Sequence, residues 1–228
     1  MRATAPISDR ERKVYPMPIR VYDYRTDIAN LVVHPAIRGR FMRMEPAPAG
    51  HMHSHDLGGE IFLVLEGQCE FLVEDDRVTC GPGQLIYVEP PLKHTLHAVG
   101  DGPCIVYLSV TPHVEPTHTR YDADYRTLPP EYGAWRGKVG DPQPEVETAE
   151  LVRRYVASAR RLADLACANA EAAESRLDAL VRAESGGDQT TAKAEMDTLW
   201  LSLRDALWQV DTLEKHWNAV TPRGMPKK

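Results

Sequence analysis

The sequence predicts a mainly β domain, built as a sandwich or barrel, followed by a long antiparallel helical hairpin. From about residue 19 to residue 110, short runs with period-two alternation or β-branched and aromatic residues are separated by Gly, Pro and Asp turns, which is typical of antiparallel strands. The gaps between these runs are too short to hold crossover helices. From about residue 145 the composition changes to Ala, Leu, Glu and Arg, which favours helices.

Five segments are expected along the chain. An N-terminal arm with a first strand, IRVYDY, occupies residues 1–30, and the barrel occupies residues 31–112. Residues 113–145 are expected to form a Pro-rich linker, because they contain five prolines and a sixth, Pro112, directly precedes them. The helical hairpin spans residues 146–222, and a C-terminal tail spans residues 223–228.

The hairpin is predicted from the spacing of apolar residues in its two halves. In each half they alternate steps of three and four, which is typical of a helix–helix seam, although polar Asn169 and Arg176 interrupt the first half. SGGD at residues 185–188 supplies a C-cap glycine and an N-cap aspartate for a turn between the helices. The predicted seam of the second helix consists of Met196, Leu199, Leu203, Ala206, Val210, Leu213, Trp217 and Val220.

Three further large residues, Trp200, Leu207 and Trp208, widen the apolar face of the second helix. We therefore expect this helix to pack on the barrel or on the hairpin of another subunit. A homodimer or higher homo-oligomer is the expected assembly.

The charge pattern excludes two classes of partner. The 228-residue chain has a net charge of −6 and no stretch of interleaved Lys and Arg, so neither nucleic acid nor an anionic membrane is an expected partner. No run approaches the ~20 apolar residues of a membrane span, and we expect a cytoplasmic protein. The scattered cysteines should be free thiols: they are Cys69, Cys80, Cys104 and Cys167.

A histidine-rich stretch, HMHSHDLGGE at residues 51–60, is the strongest functional signal. In an extended chain His51, His53 and His55 share one face. Glu60 opens the apolar strand EIFLVLE, where an inward-facing carboxylate needs a partner such as a divalent cation. His94, after a tight Pro-Pro turn, is a further candidate. Three imidazoles and one carboxylate would leave room on a metal for water or substrate.

Two longer stretches resemble the signatures of the cupin superfamily. HSHDLGGEIFLVLEG resembles the first signature, and GQLIYVEPPLKHTLHA resembles the second, looser one. The resemblance covers roughly residues 35–110. The positions that match are His53, His55, Glu60 and Gly67 in the first signature, and Gly83 and His94 in the second.

This resemblance implies a double-stranded β-helix, a jelly-roll barrel that holds a metal ion inside and is often assembled as a dimer. The ligand set that it implies is His53, His55, Glu60 and His94. The cofactor would be one divalent transition metal per chain: Fe(II), Mn(II), Ni(II), Cu(II) or Zn(II). No other cofactor and no catalytic residue is assigned.

Several residues near the signatures are weaker candidates. His51 and Tyr87 could lie behind the ligands or at the rim of the site. His97 has the opposite strand parity to His94 and should point away from the ion. The stretch PHVEPTHTRYD, which contains His113 and His118, could cover the mouth of the barrel, but a solvated linker is the expectation.

The function expected from this site is a metal-dependent enzyme acting on a small organic molecule, with dioxygenase-type oxidation as the leading reaction. A non-redox lyase, isomerase or decarboxylase is the first alternative. A small-molecule sensor with a helical interaction module is the second, because one fold hosts many functions.

Overall fold

The computed structural model describes residues 19–122, 124–132, 141 and 143–225, and it has the architecture predicted from the sequence. Within these residues ten strands form two five-stranded antiparallel sheets of a jelly roll, and two long helices form a hairpin. The strands are β1 (Asn30–His34), β2 (Ile37–Met44), β3 (His53–Ser54), β4 (Gly59–Glu66), β5 (Gln68–Val73), β6 (Asp76–Cys80), β7 (Leu85–Val88), β8 (His94–Val99), β9 (Cys104–Thr111) and β10 (Thr119–Arg120). The helices are α1 (Thr148–Ser185) and α2 (Gln189–Val220), and a 3₁₀ turn, Thr221–Gly224, follows.

The two sheets interleave strands from distant parts of the chain. One has the order β1-β2-β9-β4-β7 and the other β10-β3-β8-β5-β6. Their inner faces enclose an apolar core in which Phe62 of one sheet lies 5.3 Å, centroid to centroid, from Phe71 of the other. Cys69, Cys80 and Cys104 are buried free thiols in this core, as expected of small hydrophobic residues.

The predicted strand IRVYDY does not form. Residues 24–26 make a turn instead, and the ladder begins only at Asn30. The Asp23 carbonyl accepts from the amide of Thr26, and the Asp23 amide donates to the Asp27 carboxylate, so the local polar groups bond within the turn. Ile19 and Val21 are almost fully exposed, so no burial of apolar surface favours an extended strand over this turn.

The two helices meet along a different stripe from the one predicted. Leu199, Ala206 and Leu213 are half-buried, but Met196 and Leu203 are exposed. Polar contacts decide which stripe faces α1. The Arg176 guanidinium bonds to Glu195, the Gln209 amide donates to the carbonyl of Ser158, and the Ser158 hydroxyl contacts His216. α2 thus carries two neighbouring stripes of residues with heptad spacing. The polar pairs lie on the stripe that contacts α1, and the other stripe is exposed to solvent.

The expectation of a solvated linker is wrong for residues 112–122. His113, Glu115 and Thr117 are buried at alternate positions, and β10 pairs with the edge of β3. Extended chain that covers an open sheet edge satisfies backbone groups that would otherwise be unpaired. This segment therefore continues the barrel.

The C-terminal end of α2 holds this segment in place. The Asn218 side chain accepts from the amide of Glu115 at 2.9 Å and donates to the carbonyl of His113 at 2.7 Å. The Trp217 indole donates to the carbonyl of Glu115. The hairpin is thus fastened to the chain that follows β9.

No helix in the described part of the chain is long and apolar enough to cross a membrane.

Candidate metal centre

Four side chains predicted to act together do lie together. One ligating atom each from His53, His55, Glu60 and His94 falls in a group whose members all lie within 4.8 Å of one another. Glu60 is 3% exposed, His55 and His94 are equally buried, and His53 is half-buried. The cluster is formed where both sheets contribute to the inside of the barrel.

The short strand β3 places the first histidine of the signature. His53 pairs directly with His94 of β8, and their ring centroids lie 4.4 Å apart. His55 follows β3 by one residue and shares the parity of His53, so that both imidazoles reach the same side. Alternation along one strand and pairing across two strands therefore bring three imidazoles to one point.

Glycines before Glu60 allow the start of β4 to approach its neighbours. A Cβ on Gly59 would lie 2.6 Å from the hydroxyl of Tyr87, and a Cβ on Gly58 would lie 2.8 Å from the carbonyl of Pro112. At Gly58 the obstacle is backbone, which leaves no room for a side chain, whereas at Gly59 the exposed Tyr87 side chain would have to move. The Gly-Gly pair thus lets the strand begin close to β7 and to the segment after β9, with Glu60 pointing inward.

The Glu60 carboxylate faces two imidazoles at once. Its Oε2 lies 3.0 Å from Nε2 of His55 and 3.0 Å from Nε2 of His94. The Nδ1 atom of His94 lies 3.0 Å from the carbonyl of Leu92, which can only accept. The proton of a neutral His94 is therefore on Nδ1, and its Nε2 lone pair points at a carboxylate oxygen. Two acceptors at this distance need a cation or an added proton between them.

Burial and neighbouring charges set the protonation of the cluster. Burial raises the pKa of the Glu60 carboxyl, but the facing imidazoles of His55 and His94 more than offset it, so its pKa lies well below the usual range. Burial, followed by the electrostatic effect of the neighbouring His94 imidazole, lowers the pKa of His53 to about 3. At neutral pH the cluster thus presents an ionised carboxylate and a neutral His53, the forms in which these side chains bind metals.

These residues fit a divalent transition metal. Three imidazoles and one carboxylate suit Fe(II), Mn(II), Ni(II), Cu(II) and Zn(II). The hydrogen bond from His94 to a backbone carbonyl is the outer contact that orients metal-bound histidines. His53, His55, Glu60 and His94 would hold the ion.

The weaker candidates lie elsewhere. His51 is exposed and outside the cluster. Tyr87 is not near the ligands: it is 54% exposed and pairs with Ile61, whose parity is opposite to that of Glu60. His97 points away from the cluster, as expected, with its Nε2 3.4 Å from a carboxylate oxygen of Glu70. His113 is buried beneath the end of α2.

A fourth histidine, His118, joins the cluster although the sequence did not assign it there. Its ring centroid lies 4.9 Å from that of His53 and 4.6 Å from that of His55. Burial, followed by the electrostatic effect of the neighbouring His55 imidazole, lowers the pKa of His118 to about 2. No pattern in the sequence indicated this placement, because the buried residues at positions 113, 115 and 117 are polar and only the return of the chain to β3 places His118.

A cavity of about 410 Å³ opens beside the cluster. His55 and His118 form part of its wall, and the rest is mainly apolar or backbone surface from residues 56–58, 112, 114–117, 119, 127, 128 and 130. A small organic molecule fits such a volume. The cavity thus gives a ligand contact with the histidine cluster.

The family is decided by a comparison with protein-family models, in which the cupin domain matches residues 40–111. The barrel is a cupin domain. This confirms the family predicted from the two signatures. The matched region ends at the last residue of β9, so His118 and the helical hairpin lie beyond it.

Three solved structures illustrate the likeness. A protein with a double-stranded β-helix domain from Klebsiella pneumoniae is 15% identical, with a TM-score of 0.39 over 41% of this chain and 90% of that one. A cupin 2 domain-containing protein from Halorhodospira halophila is 25% identical, with a TM-score of 0.35 over 40% and 61%. The DMSP lyase DddQ from Ruegeria pomeroyi is 21% identical, with a TM-score of 0.34 over 38% and 43%. No curated protein matches this chain.

The buried imidazole of His118 predicts a pH-dependent stability of the metal-stripped protein. Its pKa is about 2 in the folded state and ~6.5 in the unfolded chain. The unfolded state therefore binds the extra proton between these values, so the contribution to stability is complete above pH ~6.5 and is lost as the pH falls. The free energy of unfolding, measured in urea at pH 7 and at pH 5, should fall in both proteins as the pH is lowered. The fall should be smaller in His118→Asn than in wild type, by roughly 2 kcal/mol.

Thr117→Val serves as the control, because it removes the hydroxyl 3.1 Å from Nδ1 of His118 but keeps the imidazole. Its loss of stability between the two pH values should match that of wild type. An equal loss in His118→Asn and wild type would contradict the prediction.

Proposed function

We propose that this protein binds one divalent transition metal through His53, His55, Glu60 and His94 and acts as an enzyme on a small organic molecule. The observation that carries the proposal is the shared Glu60 oxygen, 3.0 Å from an imidazole nitrogen on each side. A dication among these atoms would replace a contact between acceptors with favourable metal–ligand bonds.

The chemistry favoured for this centre is oxidation by dioxygen with Fe(II) as the ion. A metal bound here would polarise a substrate oxygen, and a redox-active one would also activate dioxygen. The ligand set contains no thiolate, and its single carboxylate offsets one of the two charges of the ion. Such a site keeps a residual positive charge that attracts an oxygen atom of a substrate.

The remaining residues would position the substrate and limit access by water. The cavity beside His55 and His118 holds the molecule, and the segment that contains His113 and Glu115 closes one side of it. The carbonyl of Leu92 keeps the His94 ring in its ligating orientation. These contacts would hold a substrate at the metal positions that the protein ligands leave open.

A sensor is the second candidate, favoured by the bonds from Asn218 to the segment that walls the cavity. A ligand that moves Glu115 would also move the end of α2. Reversible binding without turnover, accompanied by a change in the hairpin, would favour this function over catalysis.

The enzymatic function predicts metal-dependent turnover. Protein loaded anaerobically with Fe(II) should convert at least one member of a panel of small acids, alcohols and ketones, followed by mass spectrometry and an oxygen electrode. His94→Ala should reduce turnover by roughly a hundredfold or more, because it removes a ligand. His97→Ala, on the opposite face of the same strand, is the matched control and should retain activity.

Two outcomes would contradict this account at different levels. Equal turnover by the metal-stripped protein and by His94→Ala would remove the metal from the mechanism. Full turnover without dioxygen, still dependent on the metal, would exclude the oxidative reaction and leave a lyase, isomerase or decarboxylase.

A further inference from the structure

A buried arginine in the barrel has two guanidinium nitrogens without a hydrogen-bond partner among the described residues. Arg38 is 2% exposed, and its Nε and Nη1 atoms are buried without a hydrogen-bond partner among the described residues. A guanidinium carries five donors, and leaving them unpaired in a protein interior is strongly unfavourable. The Nε atom of Arg40 is also buried and unpaired within the described part of the chain.

The strand register places Arg38 on the inner face of the barrel. Arg38 of β2 pairs with Val110 of β9, and Val110 pairs in turn with Glu60 of β4. Residues directly opposite one another in antiparallel strands point to the same face. Arg38 and the candidate ligand Glu60 therefore point to the same face of the sheet. Their strands are separated by β9, which puts the two residues about 10 Å apart. Arg40 lies one inward position further along β2.

The charges around Arg38 connect it to both the cluster and the cavity. Burial lowers the pKa of Arg38, and the nearby carboxylates of Glu60 and Glu115 oppose that effect. The charge of Arg38 contributes in turn to the lowered pKa of His53 and of His118. Glu115 and His118 line the cavity, so the arginine lies near the space that a ligand would occupy.

The balance of charge depends on what binds at the centre. Arg38 and Arg40 carry two positive charges, and Glu60 and Glu115 carry two negative charges. Among the described residues these charges offset one another around Arg38, and a dication held by Glu60 would add positive charge beside the guanidinium. An anionic group bound beside Arg38 would offset that excess and supply hydrogen-bond acceptors to its donors.

We propose that Arg38, assisted by Arg40, is an anion-binding site and that the molecule bound at the centre carries a carboxylate or phosphate group. This inference rests on the proposed function, because it assigns a substrate class to the same site. The guanidinium binds the anionic end, and the rest of the molecule extends toward the cluster of His53, His55, Glu60 and His94. Arg38 thereby selects anions over neutral molecules of the same shape.

The test follows the Nε–Hε NMR signal of Arg38, identified by its absence from the spectrum of Arg38→Lys. Wild-type protein loaded with Zn(II), which is diamagnetic, is titrated with propionate, inorganic phosphate and neutral propionamide. The signal should shift saturably with at least one of the two anions, which identifies the preferred group, and should not shift with propionamide.

Variants then test the role of the side chain. Arg38→Met should weaken binding of the preferred anion by roughly tenfold or more, as followed by backbone amide signals of the barrel. Arg43→Met is the matched control: Arg43 lies on the same strand but is exposed and paired with Glu45 at 3.0 Å. Circular dichroism checks that each variant is folded.

The outcomes separate this inference from the metal centre. An Arg38 signal that is unchanged by both anions, or that shifts equally with propionamide, overturns the anion site even when Zn(II) binds. A saturable shift in His94→Ala, which lacks a metal ligand, supports the anion site even if the proposed metal function fails.

A second and independent observation concerns the hairpin, where an apolar stripe of α2 is open to solvent. Its five members are 36–54% exposed and alternate steps of four and three. This is the spacing of a seam between helices, but α1 contacts a different stripe. The stripe consists of Met196, Trp200, Leu203, Leu207 and Val210.

A matching stripe of small residues follows α1. Every member of both stripes comes one residue after a position that faces the other helix, such as Glu195 or Ser158. One residue is a rotation of ~100°. In an antiparallel pair, this rotation turns both stripes to the same side of the hairpin. The stripe on α1 consists of Val152, Val156, Ala159, Ala163, Ala166, Ala170, Ala173 and Leu177.

The large and small residues of this two-helix face are complementary under twofold symmetry. The pairs Arg176–Glu195 and Ser158–Gln209 fix the register of the two helices. This register fixes which residues of α1 and α2 lie at the same height. If a twofold axis parallel to the helices relates two copies, the large residues of α2 in one copy lie opposite alanines of α1 in the other. The pairs would be Trp200 with Ala170, Leu203 with Ala166, and Leu207 with Ala163.

The area of the face is sufficient for a stable dimer. From residue 152 to residue 177 it is about 38 Å long, and two helices side by side are about 20 Å wide. The product is close to the ~800 Å² per partner that specific interfaces bury. We infer that a second copy of this chain covers the face and forms a four-helix bundle with it.

Sedimentation velocity at micromolar concentration tests this assembly. Wild type should be dimeric, and Trp200→Glu should be monomeric, because a charge would be buried against the partner. Trp208→Glu is the matched control, since Trp208 is 61% exposed and lies beyond the stripe, on the side away from α1. It should remain dimeric. A monomeric wild type, a dimeric Trp200→Glu, or dissociation by Trp208→Glu alone would overturn the inference.

Discussion

One buried carboxylate constrains most of the barrel. Glu60 lies inside an apolar core at the point where the two sheets converge, and a charge in such a place needs compensation. The groups that face this charge come from strands that are distant in sequence, His94 from β8 and His55 from the end of β3, and a cation among them would compensate it. The glycines at 58 and 59, the pairing of His53 with His94 and the carbonyl of Leu92 all serve to bring these side chains to Glu60. Fold and site thus depend on the same contact.

The chain beyond the cupin domain completes the site. After β9 the backbone buries alternate side chains and pairs with β3, which sets His118 against His53 and His55. The end of α2 holds this segment through Asn218. The helical hairpin is therefore structurally connected to one wall of the cavity. A cupin domain cut at residue 111 would lack this wall.

Sequence patterns predicted what depends on local periodicity and missed what depends on pairing between distant segments. The strand runs and the helices follow from alternation and spacing, and so does the opposite parity of His97. The set of four clustered residues came from the resemblance to the cupin signatures. IRVYDY alternates like a strand, but it has no neighbour to pair with. His118 was missed because only the return of the chain to β3 places it, and Arg38 because the pairing of β2 with β9 decides which face is inside. On α2, two stripes of equal spacing could be told apart only by the polar pairs with α1.

The most direct measurement is the metal content of the protein purified without added metal, by elemental analysis, beside the His53→Ala, His94→Ala double variant. The account predicts close to one transition metal ion per chain in the wild type and almost none in the variant, whose fold is checked by circular dichroism. A wild type that holds no metal, even after reconstitution with Fe(II), Mn(II), Ni(II), Cu(II) and Zn(II), would contradict it. So would a folded double variant that retains the ion in full.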